Sequence, residues 1–266
     1  MVKRILFIFI LLVSTFSFSQ LSKNHYIPPI SSGPSNADPL DQLMYISTPS
    51  QGDVNFTINI VGGNSISGTV SNATPYVYGI ADSGYSSFVQ DPATTSRVTS
   101  DKGYIINADS PIYVSVRLNA GGNAQAGALV SKGENALGTT FRIGTYDNQG
   151  NPGSNYLNFF SFMATEDNTT VNLTNERVTS GLQIQNAGAQ QFPINNISLN
   201  RGQTYVVAVK PEDTNENRAG LIGTLVSSDK PIVVNSGSAN GSFGNGGARD
   251  YGIDQIVELS KVGKEY

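Results

Sequence analysis

The sequence predicts an all-β protein made of two tandem, related β-sandwich-like units. Three observations lead there. The 28 glycines sit among abundant Asn, Ser and Thr, while Lys, Glu and Leu are sparse, the balance of strands joined by turns. Apolar residues recur with a period of two, and no convincing helix exceeds two turns; the best helical candidate is Asn123 to Val130. Short motifs also recur in the same order about 120 residues apart.

The chain of 266 residues opens on Lys3 and Arg4, an apolar run from Ile5 to Val13, and the small-residue site Ser17-Phe18-Ser19. This is the pattern of a secretory signal peptide, residues 1–19, cleaved before Gln20. The run is too short to span a bilayer, so membrane insertion is not expected. An extended N-terminal segment, residues 20–43, follows. The first β unit is placed at 44–147 and the second at 148–266, with the boundary in the turn-forming stretch YDNQGNPGSN, Tyr146 to Asn155.

Within the first unit, Val54, Phe56, Ile58 and Ile60 alternate with Asn55, Thr57 and Asn59 and end at Gly62-Gly63, a half-buried strand. YIINADSPIYVSVRL reads as two strands, Tyr104–Asn107 and Ile112–Leu118, around a turn at Asp109-Ser110-Pro111. In the second unit, TYVVAVK and PIVVNSG are apolar runs expected of strands buried on both faces. The repeats are Val54–Thr57 with Val171–Thr174, and Asp109-Ser110-Pro111-Ile112 with Asp229-Lys230-Pro231-Ile232. DKGYII pairs with NRGQTYVV, and LGTTF with VGKEY at the chain end.

The stretch with the most conspicuous chemistry is PIVVNSGSANGSFGNGGARDYGIDQIV, Pro231 to Val257. Its first-unit counterpart, Asn119 to Val130, is also rich in small residues, so both copies are read as crossovers after a strand. Gly237, Gly241 and Gly247 are then structural, permitting positive φ and close backbone approach, and Pro111 and Pro231 mark the turns. Arg249-Asp250 reads either as a buried ion pair pinning the crossover beside Tyr251, Ile253, Ile256 and Val257, or as a solvated surface pair; the first is favoured. Ser238 as a nucleophile would need a base, and the only histidine is His25, so Ser238→Ala is expected to be nearly silent.

No catalytic residue is assigned. There is no cysteine, which removes thiolate chemistry, and the glycine loop lacks the phosphate-loop spacing. Paired carboxylates for glycoside cleavage stay open with 20 acidic residues, although no Trp is available as a sugar platform. The charge is −4, becoming −6 without Lys3 and Arg4, and the basic residues are scattered, so nucleic acid is not an expected partner. Asp147, Asn148 and Asn151 are candidate calcium ligands, with Asn155 nearby. The segment lacks the D-x-[DN]-x-[DN]-G pattern, and a plain Asx/Gly turn is the favoured reading. Tyr85 and Tyr146 are candidate ligand-binding aromatics on loops.

The motifs HYIPPI, MATEDNTTV, LNRGQTYVV, SDKPIVVNSGSANGS and GGARDYGIDQIV together resemble large secreted Bacteroidetes proteins that carry the region named after the N-terminal part of the IgGFc-binding protein. The resemblance covers nearly the whole mature chain. It implies an all-β extracellular module, non-enzymatic, in proteins exported by type IX secretion and ending in a gliding-motility-associated sorting domain. Extracellular polysaccharide, glycoprotein or another cell-surface component, together with downstream domains of the same full-length chain, are then the expected partners. An accessory module of an exported polysaccharide-degrading enzyme and an architectural spacer are the alternatives. No sorting domain is visible, and the chain stops within the VGKEY match, so a truncated second unit is expected.

Overall fold

The computed structural model describes residues 20–33, 39–121, 125–150, 152–177, 181–188, 190–242 and 249–262. The signal peptide, Asn151, Gly247 and most of VGKEY lie outside them. The first half carries β1 (Ser22–Ile27), β2 (Ile30–Ser31), β3 (Pro39–Ser47), β4 (Val54–Ile60), β5 (Ser65–Val70), β6 (Tyr76–Ser83), β7 (Val89–Gln90), β8 (Val98–Thr99), β9 (Tyr104–Ala120) and β10 (Gln125–Val130). The second carries β11 (Gly138–Arg142), β12 (Leu157–Ala164), β13 (Thr169–Thr174), β14 (Ile194–Leu199), β15 (Thr204–Val209), the short helix α1 (Asn215–Ala219), β16 (Leu225–Gly241) and β17 (Asp250–Ile256).

The fold is all-β, in two units. One sheet runs β5-β4-β9-β3-β6, with β1 and β10 also on β9. The other runs β14-β13-β16-β12-β15-β8, with β11 and β17 also on β16. These are the same sheet twice. β1, β3, β4, β5, β6, β9 and β10 correspond to β11, β12, β13, β14, β15, β16 and β17. Even irregularities repeat: the bulge between Ser22 and Asn24 against Ile112 and Asn107 recurs between Gly138 and Thr140 against Ile232 and Ser227. β11 lies before the boundary expected at 147 yet pairs in the second sheet, and β8, from the first half, completes that sheet's edge.

Each unit is organised by one long strand. β9 pairs β4 and β1 through its first half and β3 and β10 through its second. The two strands expected around Asp-Ser-Pro are therefore a single strand, and β16 likewise runs unbroken through Asp229-Lys230-Pro231. Pro111 and Pro231 stand where the strand changes partners, a position that can spare an N–H. Their carbonyls accept matching hydrogen bonds, from Thr48 Oγ1 at 2.9 Å and from Thr165 Oγ1 at 2.6 Å.

One repeat match and one helix expectation are corrected. TYVVAV is β15, and its counterpart is YVYGI in β6, because Tyr78 faces Met44 as Val207 faces Phe160. DKGYII leads into β9 instead. Asn123 to Val130 is not helical: residues 125–130 form β10, antiparallel to β9, and 123–124 lie outside the described residues. Small residues fit either period, and hydrogen bonds to β9 decide.

Two apolar cores result. One joins β3, β4 and β9 to Leu157, Phe159, Val206 and Ala208 of the second sheet; the other gathers Phe160, Phe162, Val207 and Val209 on its opposite face. All residues of β12 and β15 are buried, the two-faced burial expected for the apolar run TYVVAV. The N-terminal segment straps the halves together. Tyr26, Pro28 and Pro29 offer carbonyls to Gln255 Nε2, Asn235 Nδ2 and Ser161 Oγ at 2.8, 2.8 and 2.5 Å.

His25 sits fully buried in this strap. Its Nδ1 meets Ser131 Oγ at 2.9 Å, and its Nε2 faces the carbonyls of Ile112 and Ser22 at 3.0 and 3.2 Å. Burial pushes the imidazole below its ordinary 6.5, against weaker opposing effects of the two carbonyls and Glu134. The unfolded chain therefore takes up the proton first. His25's contribution to stability is intact above pH 6.5 and declines as pH falls below it. Urea titrations from pH 7.5 to 5 are expected to show this decline, and a shallower one in His25→Phe. Phe141 holds the matching position, facing Val226 as His25 faces Ile106.

Candidate functional site

The Gly/Ser/Asn-rich stretch is strand for most of its described length, not a crossover loop. β16 runs through Gly241, paired with β12 on one side and β17 on the other. Gly237 and Gly241 do not adopt positive φ. They are required by close approach: a Cβ on Gly237 would overlap the Gly252 carbonyl and lie 2.9 Å from Ile253 Cα, and one on Gly241 would lie 2.8 Å from the Tyr146 ring.

Ser238 is fully buried between these glycines. Its hydroxyl donates to Asn158 Oδ1 at 2.5 Å and accepts from the Tyr146 N–H at 3.0 Å. It makes no contact with His25, whose hydrogen-bond partners are Ser131, Ser22 and Ile112. Asn158 Nδ2 donates to the carbonyls of Tyr146 and Arg218 at 3.1 and 3.0 Å. Asn148, one of the calcium candidates, is buried in the same network. Its Nδ2 donates to Asn158 Oδ1 at 2.8 Å, and its Oδ1 accepts from Ser242 N–H at 2.9 Å. Asp147 accepts from Gln149 Nε2 at 2.8 Å. Among the described residues no group of three or more His, Cys, Asp or Glu is placed to hold a metal ion. The Asn148 amide oxygen, one that a cation would use, is thus engaged by the backbone.

Arg249 and Asp250 are exposed, and the expected buried ion pair does not form. Arg249 reaches Asn155 Oδ1 at 3.3 Å and lies 5.9 Å from the Tyr156 ring centre. Asp250 accepts from the Ala126 N–H at 2.6 Å, tying β17 to β10. Beside it, Lys132 Nζ pairs with Asp254 at 2.6 Å.

Each candidate tyrosine lines a cleft. The Tyr146 cleft, about 450 Å³, has a floor of Gly144, Gly237 and Gly252 with Ser236, Ile253 and Asp254 around it. The ring is half-buried, and a Cβ on Gly252 would overlap its hydroxyl. Burial first, and Asp250 second, push this phenol up. Tyr146 is thus a packing element of the glycine strand.

Tyr85 differs. It is 48 % exposed, on the loop after β6, at the rim of a cleft of about 290 Å³ across the junction of the two halves. Asp91, Pro92 and Ala93 come from the first half, and Gln185, Asn186 and Lys210 from the second. The walls are fixed by local bonds. Asp91 caps the turn Pro92–Thr94 through Ala93 N–H at 2.8 Å. Asn186 Nδ2 bridges Pro92 O and Thr95 Oγ1 at 2.6 and 2.8 Å, and Ser96 Oγ donates to Gln185 O at 2.7 Å. An exposed ring beside a carboxylate, an amide and an ammonium can stack on an apolar face while hydrogen-bonding its polar rim. The wall residues of the second half carry no pattern in the sequence, so only Tyr85 was legible.

A family model described as IgGFc binding protein matches residues 126–266, from β10 through every strand of the second sheet but β8. This chain belongs to the IgGFc binding protein family. No curated protein and no solved structure matches it. In this IgGFc binding family member, the matched region supplies one wall of the Tyr85 cleft, and the unmatched half supplies the ring. The family is a binding module and not a known enzyme family. Among the described residues no helix is long and apolar enough to cross a membrane.

Proposed function

We propose that the protein is a non-enzymatic extracellular module that binds polysaccharide or glycoprotein through the Tyr85 cleft. The observation that carries this reading is the half-exposed Tyr85 ring set over a pre-formed polar cleft at the unit junction. Sugars present an apolar face and a hydroxyl rim, the chemistry that such a ring, Asp91, Gln185 and Lys210 complement. Buried Ser238 and buried His25 are engaged in structural hydrogen bonds, which favours binding over catalysis. The motif resemblance to large secreted proteins adds surface attachment, with the module at the N-terminal end of a longer chain exported by type IX secretion.

The test is binding to a panel of extracellular polysaccharides and glycoproteins by calorimetry. Tyr85→Ala is expected to weaken the best ligand about tenfold or more, roughly 1.4 kcal/mol, with unchanged stability. Undiminished binding in Tyr85→Ala, and loss in a folded Tyr146→Ala protein, would move the site to the glycine strand. Absence of any ligand would favour the spacer alternative.

A further inference from the structure

The internal repeat exposes one difference between the halves. β15 and β6 are equivalent, Tyr205-Val206-Val207-Ala208-Val209 matching Tyr76-Val77-Tyr78-Gly79-Ile80. The outer edge of β15 is covered by extended chain. β8 pairs Val98 with Tyr205 and Thr99 with Thr204. Ser96 N–H donates to Val206 O, and Gln185 N–H to Ala208 O, both at 2.8 Å. Every residue of β15 is buried.

The outer edge of β6 carries no strand among the described residues. By the shared register, Val77 and Gly79 stand where Val206 and Ala208 stand, so their N–H and C=O groups line that edge. Val77 is 50 % exposed, and a Cβ on Gly79 would meet nothing within 4 Å. Pro75 just before the strand and Asp82 near its end bound this edge, and between them, from Tyr76 to Ala81, it carries no charge and no proline, the usual guards of an open edge. Among the described residues, this edge is thus covered in one unit and left without a strand over Val77 and Gly79 in the other.

We propose that β6 is a strand-acceptor edge, filled by an extended segment of β8 chemistry from a neighbouring β unit. The segment on β15 shows what fits: Ser96 to Ser100, one arginine and one valine among three hydroxyl side chains, running antiparallel. The segment pairs by main-chain hydrogen bonds to Val77 and Gly79, and its Val stands opposite Tyr76, as Val98 stands opposite Tyr205.

The test uses the full chain and a synthetic peptide of residues 94–101, TTSRVTSD, with amide exchange read by NMR. The peptide is expected to slow exchange at Val77 and Gly79 by roughly tenfold or more. The same peptide carrying Val98→Pro is expected to lose this effect. Gly79→Pro removes the outward N–H and should abolish the protection; Val77→Asp should do so without touching the backbone. Unchanged exchange at Val77 and Gly79 with saturating peptide overturns the proposal. So does protection of these amides that rises with protein concentration in the absence of peptide, which would make a second copy of the chain the occupant.

Discussion

Gly237→Val is expected to destabilise the protein by about 3 kcal/mol or more, enough to leave little folded material at 37 °C. The position is in the middle of β16, opposite Phe159 on one side and Ile253 on the other. The site of a Cβ there is already occupied by the Gly252 carbonyl and by Ile253 Cα, both backbone. Backbone cannot rotate aside as a side chain can, so β17 would have to separate from β16. That separation would also disturb the Ala126 bond to Asp250 and the Lys132 pair with Asp254. The informative control is the same change at Gly79, also in a strand but with open space around it. Gly79→Val is expected to be neutral within about 0.5 kcal/mol, since valine suits an exposed strand at least as well as glycine. Urea unfolding of the two variants decides. Equal effects would mean that generic strand disruption, not the close β16–β17 approach, sets the glycine requirement.

The difference between these two glycines shows what the sequence can and cannot convey. Alternation along Val54 to Ile60 and the doubled Asp-x-Pro-Ile motif are local signals, and the strands and the repeat were readable from them. The continuity of β9 and β16 was not. Asp-Ser-Pro reads as a turn until partners on both sides hold the chain extended, and three of those partners, β1, β3 and β4, lie far away in sequence. The glycine stretch reads as a crossover for the same reason. Composition says that side chains are missing, but only the approach of Gly252 and Tyr146 says why. Of the candidate site, Tyr85 was visible as a loop aromatic, while Gln185, Asn186 and Lys210 reach it only through the junction of the halves. The match of YVYGI to YVVAV is short and apolar, and only shared register against β3 and β12 establishes it.

Asn158→Leu is expected to cost about 3–4 kcal/mol, because leucine fills the volume but strands the groups around it. Asn148 Nδ2 and the Ser238 hydroxyl lose their common acceptor, and the carbonyls of Tyr146 and Arg218 lose their donor. Asn158, Asn148 and Ser238 are all buried, so water cannot replace the missing partner without opening the structure. Ser238→Ala is a milder cut into the same network, and the two hydrogen bonds of its hydroxyl make the expected effect larger than the near-silent one read from the sequence. The Tyr146 N–H loses its acceptor while Asn158 keeps three of its four bonds, for about 1–2 kcal/mol. Because both changes break the same Ser238–Asn158 bond, the double variant should cost less than the two singles together. A thermodynamic cycle from urea titrations measures that shortfall. A shortfall near zero would mean that Ser238 and Asn158 act independently, and the glycine strand would then be held by packing against Tyr146 and Ile253 alone.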